Sequence, residues 1–166
     1  IGAAAIIAMG LATPVMAQDD GIAALASMAF ARNCFSPFMT ADRAEEVLAS
    51  TGARVDFYDL DPLSNGVPSP VVGRPATEGT DRRCEVAFDG DYVVLAESAV
   101  LTGLDMEGIN QTAAVPNGYE PIDGTHLLAA RQLNPRRVAV VHVGTRPGPN
   151  GIETFLFVER LMPSAP

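Results

Sequence analysis

Apolar and polar positions change their period several times along this chain, and each change predicts an element. In Gly21–Cys34, Ile22, Leu25, Ala29 and Phe30 recur near helical spacing, which predicts an amphipathic first helix with Cys34 at its end. Ser36-Pro37 breaks it. Thr40 then has the residue type of an N-cap, and the acids Asp42, Glu45 and Glu46 follow where a helix end is positive. Ala44, Val47 and Leu48 form the buried stripe of this second helix, and Gly52 fits its stop. Arg54–Leu60 alternates instead, Val55 and Phe57 against Asp56 and Tyr58, as a half-buried strand does.

From Asp59 to Arg82 the pattern dissolves into prolines, glycines and Asn65-Gly66. A loop of roughly two dozen residues inside a compact domain is usually a functional or a mobile segment. Cys84, Val86 and Phe88 then alternate, predicting a strand over Arg83–Phe88 with one core face. For Asp91–Gly108, the stripe Val93, Ala96, Val100, Leu104 favours a helix, capped by Asp89 and stopped by Gly108, over a hairpin return through Asp89-Gly90.

After a turn-rich link, the chain ends in three extended runs, Thr125–Leu133, Arg137–Gly144 and Ile152–Met162. Asn134-Pro135 and Pro147-Gly148-Pro149-Asn150-Gly151 separate them, which predicts consecutive antiparallel hairpins. In the middle run, Val138, Val140 and His142 share one face and Ala139, Val141 and Val143 the other, so this strand is expected to be central. The order of elements predicts an α+β fold: one domain, a mostly antiparallel sheet of about five strands with two or three helices packed on it, and a C-terminal three-strand meander. Pro163–Pro166 reads as a frayed tail.

Ahead of these elements, Ile1–Leu11 is an apolar and small-residue run, followed by Val15-Met16-Ala17, with no charge before Asp19. That order is the h-region and small-residue cleavage site of a secretory signal, cut after Ala17, so the chain is read as residues 1–17 of signal and an 18–162 domain. Without an initiator Met or a basic stretch, the sequence reads as starting inside that signal. The expected location is the periplasm or the extracellular space, with membrane attachment only if the segment is retained as an anchor.

Charge narrows the partners. The chain has 20 acidic side chains against 11 basic ones, all arginine, for a net charge of -9. A basic face is what nucleic acid requires, so none is expected as a partner, and anionic lipid is disfavoured for the same reason. Abundant Ala, Gly, Pro and Arg with no Lys is the composition of a GC-rich bacterial genome. Cys34 and Cys84 are the two cysteines, and in an exported chain they are expected to pair. Enclosing roughly 50 residues, such a bridge is worth up to about 4 kcal/mol of unfolded-state entropy. With no Cys-x-x-Cys spacing and no neighbouring histidine, it reads as a staple.

Candidate chemistry is sparse. His126 and His142 are placed equidistant from the Asn134-Pro135 turn, so cross-strand pairing would let two imidazoles share a metal, with Glu153 as a third group. Gly144–Gly151 presents glycines and Arg146 as an anion-binding turn would, without the lysine and hydroxyl of a phosphate loop. Arg82-Arg83 and Arg136-Arg137, with Arg131 and Arg146, could form a positive patch for a carboxylate or phosphate. Asp56, Asp59 and Asp61 cluster without EF-hand spacing. No nucleophile motif and no cofactor fingerprint is present. The reading is a non-catalytic binding or accessory domain, taking a partner protein or small ligand through the 59–82 loop and the nearby sheet face; the alternative is a hydrolytic or metal-assisted enzyme built on His142 and His126.

Overall fold

A computed structural model describes residues 16–59, 77 and 79–164 of the chain. Three helices, α1 (Met16–Asn33), α2 (Ala41–Ala49) and α3 (Val93–Met106), accompany five strands, β1 (Arg54–Asp59), β2 (Thr80–Asp89), β3 (Thr125–Asn134), β4 (Arg137–Gly148) and β5 (Gly151–Leu161). The strands form one antiparallel sheet in the order β1-β2-β5-β4-β3, not closed into a barrel, so the fold is α+β as the periodicities predict.

Local chemistry accounts for most element ends. Thr40 caps α2 through its side chain, which accepts from the Arg43 N–H, relieving one orphan donor of the first turn. Gly52 and Gly108 follow α2 and α3 with φ of +91° and +71°, the left-handed turn that ends a helix cheaply only at glycine. The cap of α3 departs from expectation. Tyr92, not Asp89, holds the N-cap position, and its N–H donates to Thr154 Oγ1 at 2.8 Å on the neighbouring β5. Asp89 stays in β2 because Arg54 and Asn150 both donate to its carboxylate. α1 also opens earlier than Gly21, running across the Ala17–Gln18 bond.

The C-terminal meander is continuous, β3 to β4 to β5, and its middle strand is an interior one, paired on both edges as its two apolar faces predict. The midpoint of the sheet is β5, flanked by β4 and β2. Alternation divides the sheet into two faces. Cys84, Val86 and Phe88 of β2, Leu156 and Val158 of β5, and Val141 and Val143 of β4 face the helices, where Phe30, Leu48, Val100 and Leu104 complete the main core. α1 and α3 cross closely there, since a Cβ placed on Gly103 would lie 2.4 Å from the Ala31 Cβ. Among the described residues, the opposite face bears no helix. Its apolar floor is Phe155, Phe157 and Ala87 with Ile122, and Val138, Val140 and Leu161 with Val115 and Tyr119.

Two staples fix the helical layer to the sheet. Cys34, just past α1, is bridged to Cys84 in mid-β2, with Cα atoms 5.6 Å apart. Two residues on, the Ser36 carbonyl accepts from Arg82 of β2, whose other guanidinium nitrogen donates to Asp59 at 2.8 Å. Both members of that ion pair are buried, the arginine 2% and the carboxylate 1% exposed. At the C-terminus, Ser164 accepts from the Asn117 N–H, so the segment read as a frayed tail is tied down at that residue. The expected 59–82 loop lies outside the described residues, except for Asp59, Thr77 and Gly79–Arg82.

Candidate functional site

The face of the sheet turned away from α1, α2 and α3 carries a cavity of about 460 Å³ at the end where β1 meets the β4–β5 hairpin. Antiparallel register builds it. Arg54 and Asp56 of β1 sit opposite Ala87 and Glu85 of β2, and Arg146 of β4 sits opposite Glu153 of β5. All lie on the face pointing away from the helices. Pro147, Gly148 and Pro149 form the apolar wall. Gly148 has to be small here, because a Cβ at that position would reach within 2.5 Å of the Glu153 carboxylate.

Charges in this cavity form a chain of ion pairs. Arg54 donates to Asp89 at 2.7 Å and to Glu153 at 2.6 Å. Arg146 donates to the other oxygen of Glu153 at 2.5 Å and to Glu85 at 2.6 Å, while its guanidinium lies 4.3 Å above the Phe155 ring. Glu153 is therefore the hinge of the chain, gripped by two arginines on two strands. Burial would lower both arginine pKa values, but the bonds to their carboxylates outweigh it and hold them above the usual arginine range. Glu85 is different. Burial pushes its carboxyl above the ordinary range, against the opposing pull of Arg146 and with the help of Asp56 across the strand pair. The Asn150 and Arg54 bonds lower Asp89.

Of the residues singled out in the sequence, Glu153 and Arg146 meet in this cavity, although not in the expected roles. The glycine-rich turn envisaged at Gly144–Gly151 is mostly strand: β4 runs to Gly148 and β5 begins at Gly151, leaving two residues as a tight hairpin. Arg146 thus projects from a strand and not from an anion-binding loop.

The two histidines do not meet. His126 pairs with Val143 and His142 with Leu127, so they point to opposite faces of the sheet. The turn is centred between Pro135 and Arg136, since Asn134 faces Arg137, and not on Asn134-Pro135. Two irregularities in the ladder then move the pairing by two positions and leave the faces unchanged. His142 is buried, stacked 5.0 Å from Phe157 and 5.5 Å from Tyr119, with Nδ1 3.1 Å from Thr125 Oγ1. His126 is exposed and bonds Glu97 of α3. Among the described residues no three His, Cys, Asp or Glu side chains are grouped to hold a metal.

The arginines are likewise divided. Arg82 is on the helix side with Asp59, whereas Arg83 lies on the other face, 3.7 Å from Glu159 and 5.9 Å from the Tyr58 ring. Arg137 ion-pairs with Asp81. Asp56 and Asp59 also diverge, the first toward the cavity and the second toward Arg82, while Asp61 lies outside the described residues. Arg54, Glu85 and Asp89 escaped the sequence reading as site residues. Their only signal is that charges occupy the non-core positions of strands whose other face is apolar.

Compared with known family models, curated proteins and solved structures, the chain matches none. No helix among the described residues is long and apolar enough to cross a membrane.

Proposed function

We propose that this chain is an exported domain that binds, without transforming it, a small ligand carrying charges of both signs in the cavity between β1 and the β4–β5 hairpin. The observation that carries the reading is the ion-pair chain Asp89–Arg54–Glu153–Arg146–Glu85 lining an open cavity of about 460 Å³. Such a volume suits a small molecule, and convergent polar groups against an apolar wall fix its orientation. The arginines, each more than a third exposed, can offer guanidinium edges to a carboxylate. Asp56 and Glu85, opposed across β1 and β2, are suited to an ammonium. The carboxylates of the chain already accept from arginines, which suits charge recognition better than nucleophilic or acid–base work.

Export is supported by the apolar opening with Val15-Met16-Ala17 and by a buried cysteine pair at bridging distance, a bond that persists in oxidising compartments. The ligand reading is tested by thermal shift with α-amino acids, their amides and the matching amines and acids. A ligand at about a hundredfold its Kd adds about 2.7 kcal/mol to stability. Zwitterions should raise Tm, and Arg146→Gln should abolish the rise. Equal responses from the parent and Arg146→Gln, or none from any member of the panel, would sink it. The export reading is tested by N-terminal sequencing of the exported protein, which should begin at Gln18.

A further inference from the structure

At the opposite end of the helical layer, the α1–α2 connection presents an exposed aromatic ring on a rigid support. Cys34 is bridged to β2, Phe35 packs edge-on against Phe30 at 5.8 Å, Ser36 accepts from Arg82, and Met39 is buried. Every anchor holds a neighbour of Phe38, yet Phe38 itself is 80% exposed. A loop tied this way loses little conformational entropy when its exposed ring is covered, which is the condition under which an aromatic residue becomes a binding hot spot.

Phe38 stands on the rim of a groove of about 480 Å³, whose apolar lining includes Phe35, Ile109 and Leu133. Charge selects what fits it. Arg32 and Arg160 line the groove against a single acid, Glu107. Among the described residues the arginines without an ion pair are Arg32, Arg131 and Arg136, and every other described arginine faces a carboxylate. All three lie in or within two residues of the segments that line this groove. Arg32 lines it, Arg136 is in the tight turn after the lining residue Asn134, and Arg131 immediately precedes the lining residues Gln132 and Leu133 in β3. In a chain of net charge -9, uncompensated arginines gathered around an apolar groove are a local inversion of sign.

We propose that this groove is the docking site for a short acidic segment of a partner protein, which seats an apolar side chain against Phe38 and sets its carboxylates on Arg32, Arg131 and Arg136. Its concavity suits a side chain and not a lipid surface, and the acidic remainder of the molecule repels anionic bilayers. The site is separate from the ligand cavity, so either can fail alone.

The test is selection of random twelve-residue peptides displayed on phage against the full oxidised domain, followed by fluorescence anisotropy with the selected peptides. The selected sequences should be rich in Asp and Glu around one aromatic or aliphatic residue, and their affinity should fall as salt rises. Phe38→Ala and the pair Arg32→Glu, Arg136→Glu should each weaken binding about tenfold or more. Both alter exposed positions, so their Tm values should match the parent, and Val94→Ala on the exposed side of α3 should bind as the parent does. Selected peptides without an acidic bias, or affinities indifferent to Phe38→Ala, would overturn the proposal. So would self-association by sedimentation equilibrium that disappears in Phe38→Ala, since the groove would then belong to a second copy, or recruitment to phosphatidylglycerol vesicles that the charge reversal abolishes.

Discussion

Removing the Cys34–Cys84 bridge, by the double substitution Cys34→Ala, Cys84→Ala, isolates the worth of the covalent staple from everything else that holds α1 to β2. The bridge closes a loop with a sequence separation of 50, for which the chain-entropy relation gives about 4 kcal/mol at 25 °C. Both sulfurs are buried, so alanine also removes packed volume, which adds to the loss. Residual structure in the unfolded chain acts in the other direction, and a net loss of about 3–4 kcal/mol is expected. For a domain of this size that corresponds to a fall in Tm of roughly 6–16 °C. The native geometry should survive, because Arg82 still ties Ser36 and Asp59 together at the same point. The assay is guanidinium unfolding of the parent and the double variant, each with and without reductant. Reductant should lower the parent's midpoint toward that of the variant and leave the variant unmoved. If reductant moves neither curve and the two midpoints coincide, the bridge contributes nothing and the loop argument is wrong.

Three further outcomes follow from buried chemistry. Asp59→Ala strands the Arg82 guanidinium in the core and should cost about 3–5 kcal/mol in chemical unfolding, whereas Asp59→Leu combined with Arg82→Met should recover much of that loss. Gly103→Val forces branched bulk into the α1–α3 crossing at Ala31 and should cost roughly 1–3 kcal/mol or more, read as a lowered midpoint with unchanged circular dichroism. Glu85 has a folded pKa raised mainly by burial, so its contribution is fully favourable below its unfolded pKa and is lost as pH rises through the folded one. On acidification the parent should therefore gain stability relative to Glu85→Gln, while the lowered Asp89, present in both, makes a contribution of opposite sign, lost as pH falls. A Tm difference between parent and Glu85→Gln that stays constant from pH 8 to pH 4 would contradict this assignment.

What the sequence made legible is what local chemistry decides. Thr40 names the start of α2, Gly52 and Gly108 name two helix ends, and Cys84-Val86-Phe88 names the core face of β2, because each of these effects acts within a turn or a pleat. Sheet order is set by a contact that no local period reports. β2 pairs with β5 across α3 and the whole β3–β4 hairpin, and this places β5, the strand with Glu153, Glu159 and Arg160, at the centre. Those charges disguise a buried strand as a half-exposed one. They are tolerated inside because each carboxylate meets an arginine from another strand: Glu153 with Arg54 and Arg146, Glu159 with Arg83. Partners that far apart in sequence leave no spacing to read.

The histidines fail for a related reason. The hairpin is centred between Pro135 and Arg136, because Asn134 faces Arg137, and the two irregularities in the β3–β4 ladder together move the pairing by two positions, which leaves the two histidines on the opposite faces that this turn sets. Counting about Asn134-Pro135 misplaces that centre, so the apparent symmetry of His126 and His142 was a property of the numbering and not of the sheet. The cavity shows the converse. Arg54, Glu85, Arg146 and Glu153 come from four different strands, and only the β2–β5 pairing sets them side by side. A site assembled by long-range pairing becomes visible only after that pairing is known, whereas a site on one local segment, such as Phe38 between its anchored neighbours, is concealed instead because a lone phenylalanine in sequence looks like core.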